Sequence, residues 1–349
     1  MSSLGQRYSS DHRFGVGIVG IGGIADVHVH ALRALGERVE IVGVHARNPD
    51  RLNAFATKHG LCAISSLDEL ADSDAIDVVV ILTPSNARQE IIERCAAAGK
   101  HILTEKPIER THGVALEIVE AVERAGVSMG VFFQHRFRPS VIEAERICRA
   151  AGWGRLAHAS ISVPWWRAQS YYDEEGRGTY ARDGGGVLLI QAIHTLDVAL
   201  ALAGPIAEVQ AQMATTLMHR MEAEDFVSAN LRFEGGAPGS LLASTASFPS
   251  GEESIFLQYE GGSVSLVGTR LRASGLDGSV YEFEDPEPGD HVAGQFAMTS
   301  DHHASVVRDF LDALVEGRAP VTSGRQSLAV HRLIAGLEQS SREGRTVKL

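Results

Sequence analysis

The chain of 349 residues is long enough for two domains with their own cores, and 44% hydrophobic with 22% charged residues is the composition of an ordinary globular protein. A formal net charge of -12 argues against a broad basic face, and so against nucleic acid or an anionic membrane as the main partner, while leaving anionic small molecules open. No apolar run approaches the roughly 18 residues of a membrane span, and Cys62, Cys95 and Cys148 show no CxxC or zinc spacing, which predicts free thiols in a reducing, cytoplasmic compartment.

Residues 1–13 are polar and are predicted to form a disordered tail with no signal-peptide core. Phe14 to Val19 reads as a buried strand. It runs into Gly20-Ile21-Gly22-Gly23-Ile24-Ala25 and then a helical stretch to Leu35. Each position of this G-x-G-x-x-A pattern has a physical role. Gly20 permits a tight turn, Gly22 lets backbone approach a pyrophosphate, and Ala25 lets the helix pack on the sheet. The helix N-terminus, with Gly23 and Ile24 leading into it, offers free N–H groups to phosphate. The alternative is a glycine-rich turn that binds nothing.

Val39 to Val44 is the second predicted strand, ending in His45-Ala46-Arg47-Asn48. An NAD site usually carries an acidic residue there for the ribose 2′-hydroxyl. None is present, and Arg47 is placed to pair with a 2′-phosphate or to stack on adenine, so NADP is favoured over NAD. Otherwise Arg47 is a solvated loop residue. A helix from Pro49 to His59 follows, then a capped short helix at Ser65 to Leu70. Asp77 to Leu82 has the composition of a fully buried parallel strand and ends in Thr83-Pro84-Ser85-Asn86, a strand end where open α/β sheets bind ligands. After a helix from Ala87 to Ala98 come Gly99, a short strand and Glu105-Lys106-Pro107. A helix from Gly113 to Ala125 leads to a strand at Ser128 to Phe133. This alternation predicts a doubly wound parallel sheet.

These residues resemble the Gfo/Idh/MocA oxidoreductases. The motifs are Gly20-Ile-Gly22-Gly-Ile-Ala25, the strand ending in Thr83-Pro84, Ala98 to Pro107, Gln134-His-Arg136-Phe137-Arg-Pro139, Gly184-Gly-Gly186 with His194-Thr-Leu-Asp197, Val307 to Ala313, and Ala319 to Gly324. The resemblance spans residues 14 to 349. It implies a Rossmann domain at 14–136 and, at 137–349, a substrate-binding and oligomerisation domain with a large, mostly antiparallel sheet. It also implies a homodimer or homotetramer formed through that sheet. Lys106 would lie near nicotinamide and substrate and is the first catalytic candidate, with Glu105, Asn86 and Gln134 among the cofactor contacts.

In the second half, Arg138 to Ala151 reads as a helix and Leu156 to Val163 as a strand. Pro164-Trp165-Trp166-Arg167, Tyr171-Tyr172 and Arg177-Gly178-Thr179-Tyr180 follow. Aromatic faces interleaved with guanidinium groups suit a polyol or sugar, and equally a core aromatic cluster. The pattern resembles that of sugar- and nucleotide-sugar-oxidising members, which makes Arg167, Tyr171, Tyr172 and Arg177 candidate substrate contacts. Val187 to Leu202 reads as one apolar helix carrying His194 and Asp197. His194 matches the family histidine that works beside the lysine, and an imidazole suits accepting an alcohol proton. Asp197 would orient that ring or anchor the helix. Ile190 departs from the family, which usually has Asp or Asn there. Gln191, adjacent but about 100° away on an α-helix, is the candidate substrate contact in its place, an imperfect replacement.

Strands then come in series at Ile206 to Thr215, Phe226 to Phe233, Ser240 to Ser247, Ser254 to Tyr259, Ser263 to Val267 and Val280 to Phe283. Asp301 to Glu316 and Ser327 to Ser341 close the chain as helices. His28-x-His30 and His302-His303 lack a spaced carboxylate or cysteine partner, so no metal site is expected. The expected activity is NAD(P)-dependent hydride transfer between nicotinamide and a secondary alcohol or ketone of a sugar, polyol or related cyclic compound. Two other readings stay open: a dihydrodiol or aldehyde-hydrate dehydrogenase of the same fold, and a catalytically silent nucleotide-binding regulator.

Overall fold

The computed structural model describes residues 8–286 and 300–349. Residues 1–7, the larger part of the predicted tail, lie outside the described residues. Within them the chain divides into two compact units, one of residues 8–109, 113–134 and 300–327, the other of 110–112, 135–286 and 328–349.

The first unit holds a five-stranded parallel sheet in the order β2-β1-β3-β4-β5, with β1 at Phe14–Val19, β2 at Val39–His45, β3 at Val78–Ile81, β4 at His101–Thr104 and β5 at Met129–Val131. Strands β1, β3 and β4 are buried at every position, as a sheet with both faces covered requires. The helices between them are α1 (Ala25–Arg33), α2 (Pro49–His59), α3 (Leu67–Asp72), α4 (Gln89–Ala97) and α5 (His112–Arg124). Helix α3 starts where the sequence signals it, with the Ser66 side chain accepting from Glu69 N. Residues 8–13 depart from the tail reading. His12 Nε2 lies 3.1 Å from Asp77 Oδ2, which also accepts from Gly15 N, and the Tyr8 ring packs on Phe14.

The second unit carries a nine-stranded sheet in the order β13-β12-β11-β10-β6-β9-β8-β7-β14. Its strands are β6 (Leu156–Pro164), β7 (Ile206–Ala214), β8 (Phe226–Phe233), β9 (Pro238–Ser244), β10 (Ser254–Tyr259), β11 (Gly262–Val267), β12 (Arg270–Gly275), β13 (Val280–Glu284) and β14 (Val347–Lys348). Every neighbouring pair is antiparallel except β6 and β9. Strands β12 and β14 were not expected from the sequence. Helices α6 (Pro139–Ala150) and α8 (Ile193–Ala203) pack on this sheet, and the short α7 (Gln169–Tyr172) lies between them in sequence. The single apolar helix expected from Val187 is instead two elements. A π-helical turn at Leu188–Ala192 precedes α8.

Helix α9 (Ser300–Glu316) packs on α1 and belongs to the first unit, so a single cut at residue 136 misplaces it. Helix α10 (Gly324–Glu343) starts in the first unit and continues into the second. Among the described residues no helix is long and apolar enough to cross a membrane, and all three cysteines are free.

Candidate active site

The first unit gathers its candidate residues at the carboxyl ends of its strands. Gly20 follows β1 at φ 107°, and an added Cβ would stand 2.9 Å from the Leu82 carbonyl carbon, so only glycine fits. Beyond it the loop opens, for a Cβ at Gly22 or Gly23 would meet nothing within 4 Å. Half-buried Ile24 precedes α1, and no side chain caps that helix start. Asp26, in its first turn, is bonded by Lys58 at 2.8 Å and His59 at 2.6 Å, and these bonds hold its carboxyl below the usual range. Its charge is thereby compensated beside the loop.

After β2, Ala46 is half-buried and Arg47 exposed. Asn48 is already engaged: its Oδ1 accepts from Arg51 N at 2.9 Å and caps α2. After β3, Thr83 Oγ1 is buried without a hydrogen-bond partner, while Pro84 and Asn86 are exposed. Gln134 Oε1, after β5, is likewise buried without a partner.

Lys106 is held by groups that sequence reasoning missed. Arg88, at the start of α4, is buried. Its Nε donates to Thr83 O at 2.8 Å, and its Nη1 donates to the carbonyls of Glu105 and Pro107 on either side of Lys106. Burial pushes this guanidinium down to about 10, against the pull of Glu105 and Glu109. The Lys106–Pro107 peptide is cis. Glu105 Oε2 accepts from Lys106 N at 3.1 Å, and Glu105 Oε1 lies 2.7 Å from His28 Nε2. Burial alone would raise this carboxyl. The His28 hydrogen bond and the charges of His28, His303 and Lys106 hold it well below the usual range instead.

The expectation of no metal site rested on sequence spacing, and the fold changes its premise. His28, Glu105 and His303 come from three distant stretches, yet their ligand atoms lie within 4.8 Å of one another. Two imidazoles and a carboxylate are a competent zinc donor set. An ion there would have to replace the 2.7 Å His28–Glu105 contact.

In the second unit, the chain leaving β6 is fixed by Trp165 N and Arg167 N, which donate to Ser244 O and Thr245 O, both at 2.9 Å. The Arg167 guanidinium lies 5.6 Å from the Trp165 ring and 5.8 Å from Tyr171, and Arg177 lies 4.9 Å from Tyr171. Arg167, Tyr171 and Arg177 thus form one cluster. Tyr172 packs edge-on against Tyr171, centroids 5.0 Å apart, but is buried, with its hydroxyl 2.6 Å from Thr245 Oγ1. Behind them, His219 Nδ1 is 2.8 Å from Asp225 Oδ2 and its Nε2 is 2.8 Å from Arg167 O.

Glu224 organises the approach to His194. Its carboxylate accepts from Gly186 N and Leu188 N at 3.1 Å, and its carbonyl accepts from Val187 N at 2.9 Å. A Cβ on Gly186 would stand 1.8 Å from that carbonyl oxygen, which explains this glycine. Burial raises Glu224 to about 7 despite its backbone donors. The π turn that follows breaks the 100° phase between Ile190, Gln191 and His194. Gln191 is buried and Ile190 half-buried. The His194 ring stacks on His135, centroids 4.5 Å apart. Asp197 pairs with Arg136 at 3.8 Å, and burial lifts its carboxyl to about 7 against that arginine's pull.

Comparison with known proteins identifies the frame. Residues 14–133 match the oxidoreductase family with an NAD-binding Rossmann fold, and residues 141–274 match the GFO/IDH/MocA C-terminal domain. The chain belongs to the Gfo/Idh/MocA family. It is 27% identical over 348 residues to D-apiose dehydrogenase of Paraburkholderia graminis, covering 97% of this chain and 90% of that protein. It is 25% identical over 340 residues to inositol 2-dehydrogenase of Rhizobium meliloti, covering 95% and 98%. A crystal structure of the WlbA dehydrogenase from Bordetella pertussis, in complex with NADH and UDP-GlcNAcA, superposes with a TM-score of 0.82 at 29% identity, covering 97% and 98%.

For a Gfo/Idh/MocA protein the first unit fits its dinucleotide. The loop at Gly22 and Gly23 leaves room for phosphate, α1 opens without a cap, and Thr83 Oγ1 and Gln134 Oε1 supply two buried polar atoms with bonds still to make.

Proposed function

We propose that the protein is an NAD(P)-dependent dehydrogenase acting on a CH–OH group of a sugar, polyol or related cyclic substrate. The observation that carries this reading is the cluster of Arg167, Tyr171 and Arg177 in the same unit as His194. Aromatic faces cover C–H surfaces of a sugar ring, and guanidinium groups hold hydroxyls or a carboxylate. The names of the relatives, which include apiose and inositol dehydrogenases, point the same way.

A bound nicotinamide would supply the hydride acceptor for the carbinol carbon in oxidation. His194 accepts the hydroxyl proton, and Lys106 stabilises the negative charge developing on the substrate oxygen. Arg88 and Glu105 fix the backbone on which Lys106 is carried. We assign Arg47 to the 2′-phosphate of NADP. Its exposure at the end of β2 and the lack of a carboxylate in 45–48 support this. A homodimer or homotetramer in the cytoplasm, joined through the second unit's sheet, accounts for its exposed apolar side chains Leu242, Val280 and Tyr281.

Ile190 favours a second reading, a dihydrodiol or aldehyde-hydrate dehydrogenase, because an apolar side chain replaces a polar substrate contact. A carboxylated sugar held by Arg167 or Arg177 meets the same objection without leaving sugar chemistry.

The test is nucleotide binding followed by turnover. NADPH and NADH are titrated side by side by quenching of tryptophan fluorescence, with wild type and Arg47→Ala. The tighter nucleotide then enters a panel of sugars, sugar acids, polyols and dihydrodiols. Tighter NADPH binding, lost in Arg47→Ala, is expected. Equal or tighter NADH binding reverses the cofactor assignment, and binding of neither sinks the dehydrogenase reading.

A further inference from the structure

His135 and His194 are stacked imidazoles, 4.5 Å apart and 26° from parallel. Only one has been given work to do. The state of the other follows from its neighbour, because Arg138 Nη2 lies 2.8 Å from His135 Nε2. A guanidinium donates and never accepts, so Nε2 must offer its lone pair. His135 then carries its one proton on Nδ1 and is neutral. Nδ1 lies 3.7 Å from Glu253 Oε1.

The arginine is itself fixed. Arg138 Nη1 donates to Glu253 Oε1 at 2.5 Å, and Thr195 Oγ1, next to His194 on α8, donates to Glu253 Oε2 at 2.9 Å. Glu253 is buried. The network thus joins the residue before α6, the loop before β10 and α8 itself. The same elements bring the other charges near the stack. Arg136 faces Asp197 of α8 at 3.8 Å and Glu145 of α6 at 4.0 Å. Arg138 is thus matched by Glu253, and beside that pair it reaches one imidazole nitrogen of the stack.

We propose that Arg138 is a positioning residue that holds His135 as the neutral Nδ1–H tautomer, so that His194 is the single imidazole of the stack able to take up a proton. The proposal rests on the reading of His194 as the proton acceptor. A general base becomes cationic as the hydroxyl proton arrives. A second cation stacked on it would oppose that step.

The test is nitrogen NMR of the full chain labelled with 15N-histidine, with His135→Phe used to assign the signals. His135 Nε2 is expected to resonate as an unprotonated ring nitrogen and to stay so between about pH 5 and 8, the range in which an unlocked histidine titrates. Protonation of His135 within that window in the wild type overturns the proposal. The double variant Arg138→Met with Glu253→Gln removes the lock without leaving a buried charge unpaired, and in it His135 should begin to titrate. If it folds and His135 stays neutral, Arg138 is not the cause. If it does not fold, the wild-type titration decides alone. In turnover, the acid side of the kcat/KM profile should follow one proton in the wild type and steepen in the double variant. Absence of turnover on every alcohol would count against the dehydrogenase reading, while the NMR result stands or falls separately.

Discussion

Glu105 in the first unit and Glu224 in the second are both buried carboxylates that accept backbone N–H groups, yet burial wins in one and loses in the other. Burial pushes both upward. Around Glu105 stand His28, His303 and Lys106, and the carboxyl is held down at about 2. Glu224 has only backbone donors, with Glu338 adding repulsion, and it rises to about 7. The first unit fixes its strand-end turn with a permanent ion. The second fixes the approach to His194 with a group that changes charge near neutrality. The contrast extends to the half-sites. The first unit's candidate nucleotide site is mostly backbone, glycine and helix ends. The second unit's candidate chemistry is side chains from scattered segments.

That division predicts separable losses, and the largest is catalytic. His194→Ala should lower kcat by about 10²- to 10⁴-fold, the range for losing a general base, with nucleotide affinity unchanged by fluorescence titration. A parallel fall in nucleotide affinity would break the division.

Next in size is a purely structural loss in the second unit. Both ring nitrogens of the buried His219 lie 2.8 Å from an acceptor, the Asp225 carboxylate on one side and the Arg167 carbonyl on the other. Removing one partner of a buried hydrogen bond leaves the other unsatisfied, at a cost of about 1–3 kcal/mol. Asp225→Ala should therefore lose that much in urea unfolding and weaken substrate binding through Arg167, leaving the nucleotide site intact. A loss below about 1 kcal/mol, the size typical of a surface pair, would show that this buried contact adds nothing specific to the second unit.

The same contrast governs what could be read from the sequence. Parallel strands buried on both faces are continuous apolar runs, and Asp77-Val-Val-Val-Ile-Leu82 announces one at once. Glycines at a nucleotide loop sit at fixed spacing within a few residues. Arg88 was illegible because an arginine opening an amphipathic helix looks solvated until its three carbonyl partners are folded around it. His303 stands nearly two hundred positions from Glu105, so no local spacing could join them. The segment at 187–202 is apolar on every side and carries no phase, so the sequence could not separate a π turn from an α-helix. Tyr171 and Tyr172 differ only in which way a four-residue helix turns them, and one joins the arginine cluster while the other bonds Thr245. Strand β14 is two residues long, too short for any periodic signal.

The smallest predicted effect tests the two carboxylates directly. Glu224 is raised from 4.5 to about 7 in the folded protein, so between those values the native state binds a proton that the unfolded state has released. Its contribution to stability is complete below about pH 4.5 and falls away as pH rises through 7. Glu105 has the opposite sign: its contribution is present above pH 4.5 and is lost as pH falls through about 2. Between pH 5 and 7 only Glu224 of the two should make stability slope downward, by at most about 1.4 kcal/mol per pH unit. Asp197 adds a slope of the same sign, since burial lifts it to about 7 as well. Urea unfolding at constant ionic strength should therefore show a shallower decline in Glu224→Gln than in wild type, because glutamine keeps the shape of the neutral acid and cannot ionise. Glu105→Gln should be less stable throughout this window. An unchanged slope in Glu224→Gln would mean that the Gly186 and Leu188 amides hold that carboxylate ionised, and the two units would then differ in composition but not in the charge they bury.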